Sequence, residues 1–207
     1  MSDTWNQDLL SIDLNYAVRN SDKEQVRHLL EKGADPNYSG FRPVGEVPSS
    51  SAIFYVEDAE IAKMLLDAGA DPNAWSYEDD GYQNPLHCVV SSESIRLLLL
   101  EHGADIHAQN HDGNTPLHLA SGPDEARVLI KYGASIHTEN EQGESPLSLL
   151  NSSSYYSDDV KAVIREQQAL ELREEIADAL TPTLLYKDEQ FPVACEAQQP
   201  VKQRRAM

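Results

Sequence analysis

The sequence predicts an all-α solenoid of about five helix-turn-helix repeats, with hairpin-like fingers between them and a helical cap at the C-terminal end. Three observations carry this reading. A Gly-Ala-(Asp/Ser) tripeptide recurs at Gly33, Gly69, Gly103 and Gly133, at intervals of 36, 34 and 30 residues. A polar residue followed by Pro-Leu opens three repeats: Asn84-Pro85-Leu86-His87, Thr115-Pro116-Leu117-His118 and Ser145-Pro146-Leu147-Ser148. Each Gly-Ala follows apolar residues at helical spacing, as in Val26, Leu29 and Leu30. No single repeat could bury its own apolar face, so the repeats are expected to stack into one continuous core.

The elements follow in order. The first repeat keeps a clear second helix, Val26 to Leu30, before Gly33-Ala34-Asp35. The second opens weakly, on Ser51-Ala52-Ile53-Phe54. In the fourth, Thr115 suits an N-cap and Pro116 the first helical position, where a missing N–H costs nothing. Gly133 supplies the left-handed residue that ends a helix, and Asp112-Gly113 reads as a tight turn. Acidic residues at Glu57, Asp58, Glu60, Glu93, Asp124 and Glu125 fall where second helices start, and negative charge there suits the helix dipole. The fifth repeat opens at Ser145 and lacks a glycine stop. Beyond Ser157, the residues Val160, Val163, Ile164, Leu170, Leu172, Ile176, Ala177 and Leu180 keep mostly helical spacing up to Thr181-Pro182, which reads as a helix stop. The expected division is a repeat stack over residues 1–157, a capping helix over 158–180 and a flexible tail over 181–207. The tail carries three prolines, clustered glutamine and a basic end, Lys202-Gln203-Arg204-Arg205.

Thr115-Pro116-Leu117-His118-Leu119-Ala120, with Gly-Ala about twenty residues later, resembles the ankyrin repeat, whose period is about 33 residues. The resemblance covers residues 8–168. It is most specific in the fourth repeat and good in the third; end repeats are expected to degenerate, because each needs one polar outer face. It implies an ankyrin-repeat solenoid that binds protein and performs no chemistry. For His87 and His118 it implies a hydrogen bond to the finger backbone.

Landmark spacing shows where length is added. Gly33 to Ser51 is 18 residues and Gly69 to Asn84 is 15, against 12 for both Gly103 to Thr115 and Gly133 to Ser145. The added segments, residues 38–48 and 74–82, are aromatic, and the second is also acidic. Aromatic side chains on loops held by a rigid scaffold are typical contact material. The partner-contacting residues expected from this are Tyr38, Phe41, Arg42, Trp75, Tyr77, Glu78, Asp79, Asp80, Tyr82, Asn110, His111 and Glu141. His107 and His137 share a column with Asn37 and Asn73, which reads as a polar ladder along the fingers.

Charge narrows the partners. Sixteen Lys and Arg stand against 35 Asp and Glu, a net −19, of which −16 lies in residues 1–150. Such a chain repels phosphate backbones and anionic membranes, so nucleic acid and membrane are excluded as partners and a basic protein is favoured. No metal or cofactor is expected: the histidines lack thiolate or carboxylate companions at ligand spacing, and no phosphate-binding or nucleophile motif occurs. Cys88 and Cys195 are far apart and read as free thiols. No apolar run approaches a membrane span and the N-terminus lacks a secretory pattern, so a cytoplasmic monomer is expected, with signal-less export left open. The reading is a binding scaffold, as an inhibitor, immunity-type protein or adaptor. The alternative is an effector acting on proteins of another cell, with the tail as its signal.

Overall fold

The computed structural model describes residues 2–39, 50–76, 83–88, 92–151 and 155–189. The chain divides into two parts, Met1–Gln168 and Ala169–Met207. Five pairs of elements follow one another. The second members are α2 (Lys23–Glu31), α3 (Ala59–Asp67), α5 (Glu93–Glu101), α6 (Pro123–Lys131) and α7 (Asp158–Glu189). The first members are α1 (Ser2–Arg19), a 3-10 turn at Ala52–Tyr55, the four-residue α4 (Pro85–Cys88), a chain of turns at 116–119 and a 3-10 turn at Ser148–Asn151. Among the described residues the only β pairing is an isolated antiparallel bridge, Ser76 to Gln83.

The recurring glycines stop the second helices in one way. Gly33, Gly69, Gly103 and Gly133 have φ of 87°, 91°, 86° and 100°. In each case the following alanine N–H reaches back to the carbonyl five residues earlier: Ala34 to Leu29, Ala70 to Leu65, Ala104 to Leu99, Ala134 to Leu129, all at 2.9–3.0 Å. This left-handed closure satisfies carbonyls that would otherwise end the helix unpaired, and only glycine enters it without a Cβ penalty. At the other end, Asp58 caps α3 by accepting from the Glu60 and Ile61 N–H groups, and Ser92 caps α5 by accepting from Ile95.

The same four leucines that receive the alanine bonds are the centre of the core. Leu29, Leu65, Leu99 and Leu129 are at most 2% exposed, each burial contributing about 1.5–3 kcal/mol. They pack with first-member residues Leu14, Ile53, Leu86 and Leu117 in two clusters, and Leu100 touches both. Val160, Val163 and Ile164 of α7 complete the second cluster with Leu149 and Tyr156. The buried Tyr156 hydroxyl donates to the Leu117 carbonyl at 3.0 Å. Repeats three and four are also joined by a buried ion pair. Arg96 of α5 donates to Glu125 of α6 at 2.9 Å, and the second Glu125 oxygen takes the Ser121 N–H and hydroxyl.

Two expectations need correction. The helix expected at Thr115-Pro116 is instead three successive i→i+3 turns, His118 to Thr115, Leu119 to Pro116 and Ala120 to Leu117. Pro123 opens α6 and holds Gly122 extended, at φ −139° and ψ 158°. Only residues 116–121 then lie before the α6 cap, and this short segment closes in tight turns. The stop expected at Thr181-Pro182 does not occur either. Helix α7 runs through Pro182 to Glu189. A proline removes one ladder bond but offers the preceding carbonyls no replacement partner, unlike the glycine closures.

Candidate functional site

The fingers are built from turns whose polar side chains are spent on holding the backbone. In repeat four, Asn110 Oδ1 accepts from the Asp112 and Asn114 N–H groups, while the Asn110 N–H reaches the Asn114 carbonyl at 2.9 Å. The next finger repeats this with Asn140, which accepts from Gln142 and Glu144. Neighbouring fingers are tied together. The Glu141 N–H donates to the Asp112 carbonyl at 2.9 Å, Asn140 Nδ2 donates to Asn114 Oδ1 at 2.9 Å, and Gln109 Nε2 donates to the Gly113 and Glu139 carbonyls. A Cβ on Gly113, where φ is +75°, would lie 2.7 Å from the Glu141 nitrogen. The fingers therefore touch backbone to backbone at that point.

Histidine staples each of the last two fingers to the turn behind it. His87 Nε2 lies 2.9 Å from the Asn114 carbonyl and His118 Nε2 lies 3.1 Å from the Glu144 carbonyl. A ring nitrogen facing a carbonyl carries the proton, so Nδ1 is an acceptor, and it takes the Asn84 or Thr115 N–H. Both residues are buried, and burial pushes both imidazoles below their usual pKa. This is the role that the resemblance implies for them.

Of the expected ladder, the two asparagines form the rungs, while the His107 and His137 backbone N–H groups donate to Asp105 and Ser135 of their own turns. Asn37 donates to the Gly69 carbonyl and accepts from the Asp71 N–H, and Asn73 does the same to Gly103 and Asp105. In the first repeat, Gln7 and Ser11 of α1 provide the equivalent bonds to Gly33 and Asp35. No group of three or more His, Cys, Asp or Glu that could hold a metal occurs among the described residues. Their helices include none long and apolar enough to cross a membrane.

Of the contact residues expected from sequence, Phe41, Arg42, Tyr77, Glu78, Asp79, Asp80 and Tyr82 lie outside the described residues. Trp75 is 41% exposed at the base of its finger, beside the Ser76–Gln83 bridge. His111 and Glu141 are exposed at adjacent finger tips. Tyr38 is half-buried, and its carbonyl accepts from Asn15. Asn110 is half-buried, with its side-chain oxygen committed to the turn.

Tyr155 was not among them. It is 44% exposed, stands edge-on to Tyr156 at 5.1 Å, and feels the Glu144 and Asp112 carboxylates, which add to burial in raising its phenol. Only its place in a Ser-Tyr run marks it in the sequence, and that pattern is not distinctive. Asp112, Glu139, Glu141 and Glu144 are all exposed on the last two fingers, and Asp112 and Glu144 are the two that act on Tyr155. Residues 97–126 and 132–160 contain no Lys or Arg.

The comparisons agree with this architecture. Residues 50–140 match the family model for ankyrin repeats, in three copies. No curated protein matches the chain. The glycine closures, the histidine staples and that match together identify residues 50–140 as ankyrin repeats, which are protein–protein interaction modules.

Proposed function

We propose that this protein is a non-enzymatic scaffold that binds a basic protein partner through its fingers and the concave face beside them, as an inhibitor, immunity-type protein or adaptor. One observation carries the reading: the last two fingers are rigid and free of cations. Their backbones are cross-linked by the Asn110, Asn140, Gln109 and histidine bonds, so little ordering is left to oppose binding. They present Asp112 and Glu144 beside Tyr155, with Glu139 and Glu141 exposed on the same fingers. Carboxylates around an aromatic suit a Lys- or Arg-rich surface, and the net −19 steers such a partner to its site. The action is occupancy: the bound partner is masked or positioned, and no bond is made or broken.

The test is capture of binding proteins from the native lysate on immobilised full-length chain, at low and at high salt. The Trp75→Ala/Tyr77→Ala double variant serves as the comparison. A single stoichiometric basic protein is expected, released by salt, and bound roughly thirty-fold more weakly by the variant, a loss of about 2 kcal/mol. Unchanged affinity in a variant with an intact circular dichroism spectrum would remove the finger of residues 74–82 from the interface.

A further inference from the structure

End repeats of a solenoid normally turn a polar face to water, because nothing stacks on them. The two ends of this stack carry apolar side chains among their polar ones. At the first end, α1 buries Leu14, Ala17 and Val18. On its opposite side Leu9, Ile12 and Tyr16 follow one another at i, i+3 and i+7, a single helical stripe. Leu9 is 51% and Tyr16 42% exposed. Asp8 and Asp13 flank this stripe, one on each side, and neither makes an ion pair with a described residue.

At the other end, the Ser148–Asn151 turn and the first part of α7 enclose a cleft of about 490 Å³. Leu147 and Leu150, both half-buried, line it together with Ser145 and Ser148. Arg165 and Gln168 of α7 stand at its wall beside Asn151. Arg165 is exposed and makes no ion pair with a described residue. In a chain with more than twice as many acids as bases, a cation without a carboxylate beside a cleft that holds two leucines is a site short of its counter-charge.

The two ends complement each other, and we propose that the α1 face of one copy docks in the Arg165 cleft of the next. Leu9 and Tyr16 fill the slot over Leu147 and Leu150, and Asp8 or Asp13 meets Arg165. The contact continues the stack across copies, so α1 covers the fifth repeat as a sixth repeat would. It is heterologous, a head joined to a tail, and it forms open assemblies that lengthen with concentration instead of stopping at a symmetric dimer. The like net charge of the copies opposes it at low salt. At physiological ionic strength the Debye length is about 8 Å, which leaves the local contacts to decide. This departs from the monomer expected from sequence, and it is independent of the finger interface.

Light scattering of the full-length chain over a concentration series, at physiological salt, tests the proposal. The mass should rise steadily above 23.0 kDa with concentration. Arg165→Glu blocks the tail, and Leu9→Asp/Tyr16→Asp blocks the head. All three positions are exposed, and circular dichroism checks that each variant folds. Each variant alone should stay at the monomer mass. Their equimolar mixture should form a one-to-one complex and grow no further, because only one good head and one good tail remain. A constant monomer mass for the unaltered chain would overturn the proposal. So would Arg165→Glu associating as the unaltered chain does, whether α1 pairs with α1 or neither end is used.

Discussion

Helices α2, α3, α5 and α6 each span nine residues, and α7 spans 32. All five occupy the same place in their repeats, and their packed portions are alike. Leu29, Leu65, Leu99 and Leu129 are buried in the first four, as Val160, Val163 and Ile164 are in α7. They differ at the C-terminal end. The four short helices meet a glycine at positive φ that closes the last carbonyls back on the helix. Helix α7 meets none, and it continues after its core contacts have ended. From 169 to 179 no residue is buried, and Leu170, Leu172 and Ile176 are 46%, 50% and 59% exposed. Packing therefore does not decide where these helices stop; a single residue's conformational freedom does.

The comparison can be broken most directly by cutting equal leucines from the two kinds of helix. Leu129→Ala should cost about 2–5 kcal/mol in chemical denaturation, because Leu129 is fully buried. Leu172→Ala should stay within about 0.5 kcal/mol of the unaltered chain. Equal losses would mean that the second half of α7 is packed after all.

Acid should separate the two regions next. His87 and His118 lie in the stopped repeats, and residues 158–189 contain no histidine. Burial lowers both pKa values in the folded state, while the unfolded chain titrates near 6.5. The unfolded state therefore binds more protons as the pH falls. The stability these histidines confer is complete above about pH 6.5 and is lost below it, by at most about 1.4 kcal/mol per histidine for each pH unit. Protonation would also set an Nδ1 donor against the Asn84 or Thr115 N–H. Denaturation curves between neutral pH and about pH 5 should show the loss, since ordinary carboxylates titrate lower. Replacing both histidines with Gln should flatten the dependence in that window.

The smallest effect sharpens the role of the stop. Gly133→Ala places a Cβ at φ 100°, with open space around it. It should cost about 1–2 kcal/mol through backbone strain alone. A cost near zero in thermal unfolding would show that the closure is not what ends α6.

Much of this was legible in the residues themselves. The Gly-Ala tripeptides became the four helix closures, Pro-Leu-His became the staples, and Asn37 and Asn73 became the ladder. The turn at 116–119 was misread because Thr-Pro-Leu-His signals how a helix starts, and nothing local says how soon Gly122-Pro123 must end it. The length of α7 was misread because Leu170, Leu172 and Ile176 continue much the same spacing as Val160 and Ile164. Periodicity reports an apolar face but not whether anything covers it. At the candidate site, exposure separates His111, Glu141 and Trp75 from Asn110, whose side chain the turn consumes. Tyr155 joins them through the fold, which brings it into the field of Glu144 and Asp112.

The asparagine ladder bears on how such a chain can change length over generations. The second and third repeats each leave two backbone groups open where the second helix ends, and the preceding repeat's asparagine closes them: Asn37 for Gly69 and Asp71, Asn73 for Gly103 and Asp105. A cassette running from just after one asparagine through the next has matching ends. Losing residues 38–73 would leave Asn37 facing Gly103 and Asp105, the same two groups that Asn73 now closes. Duplication or deletion in that register would preserve every cross-repeat bond of the ladder. A cut shifted by even half a repeat would orphan one side of it.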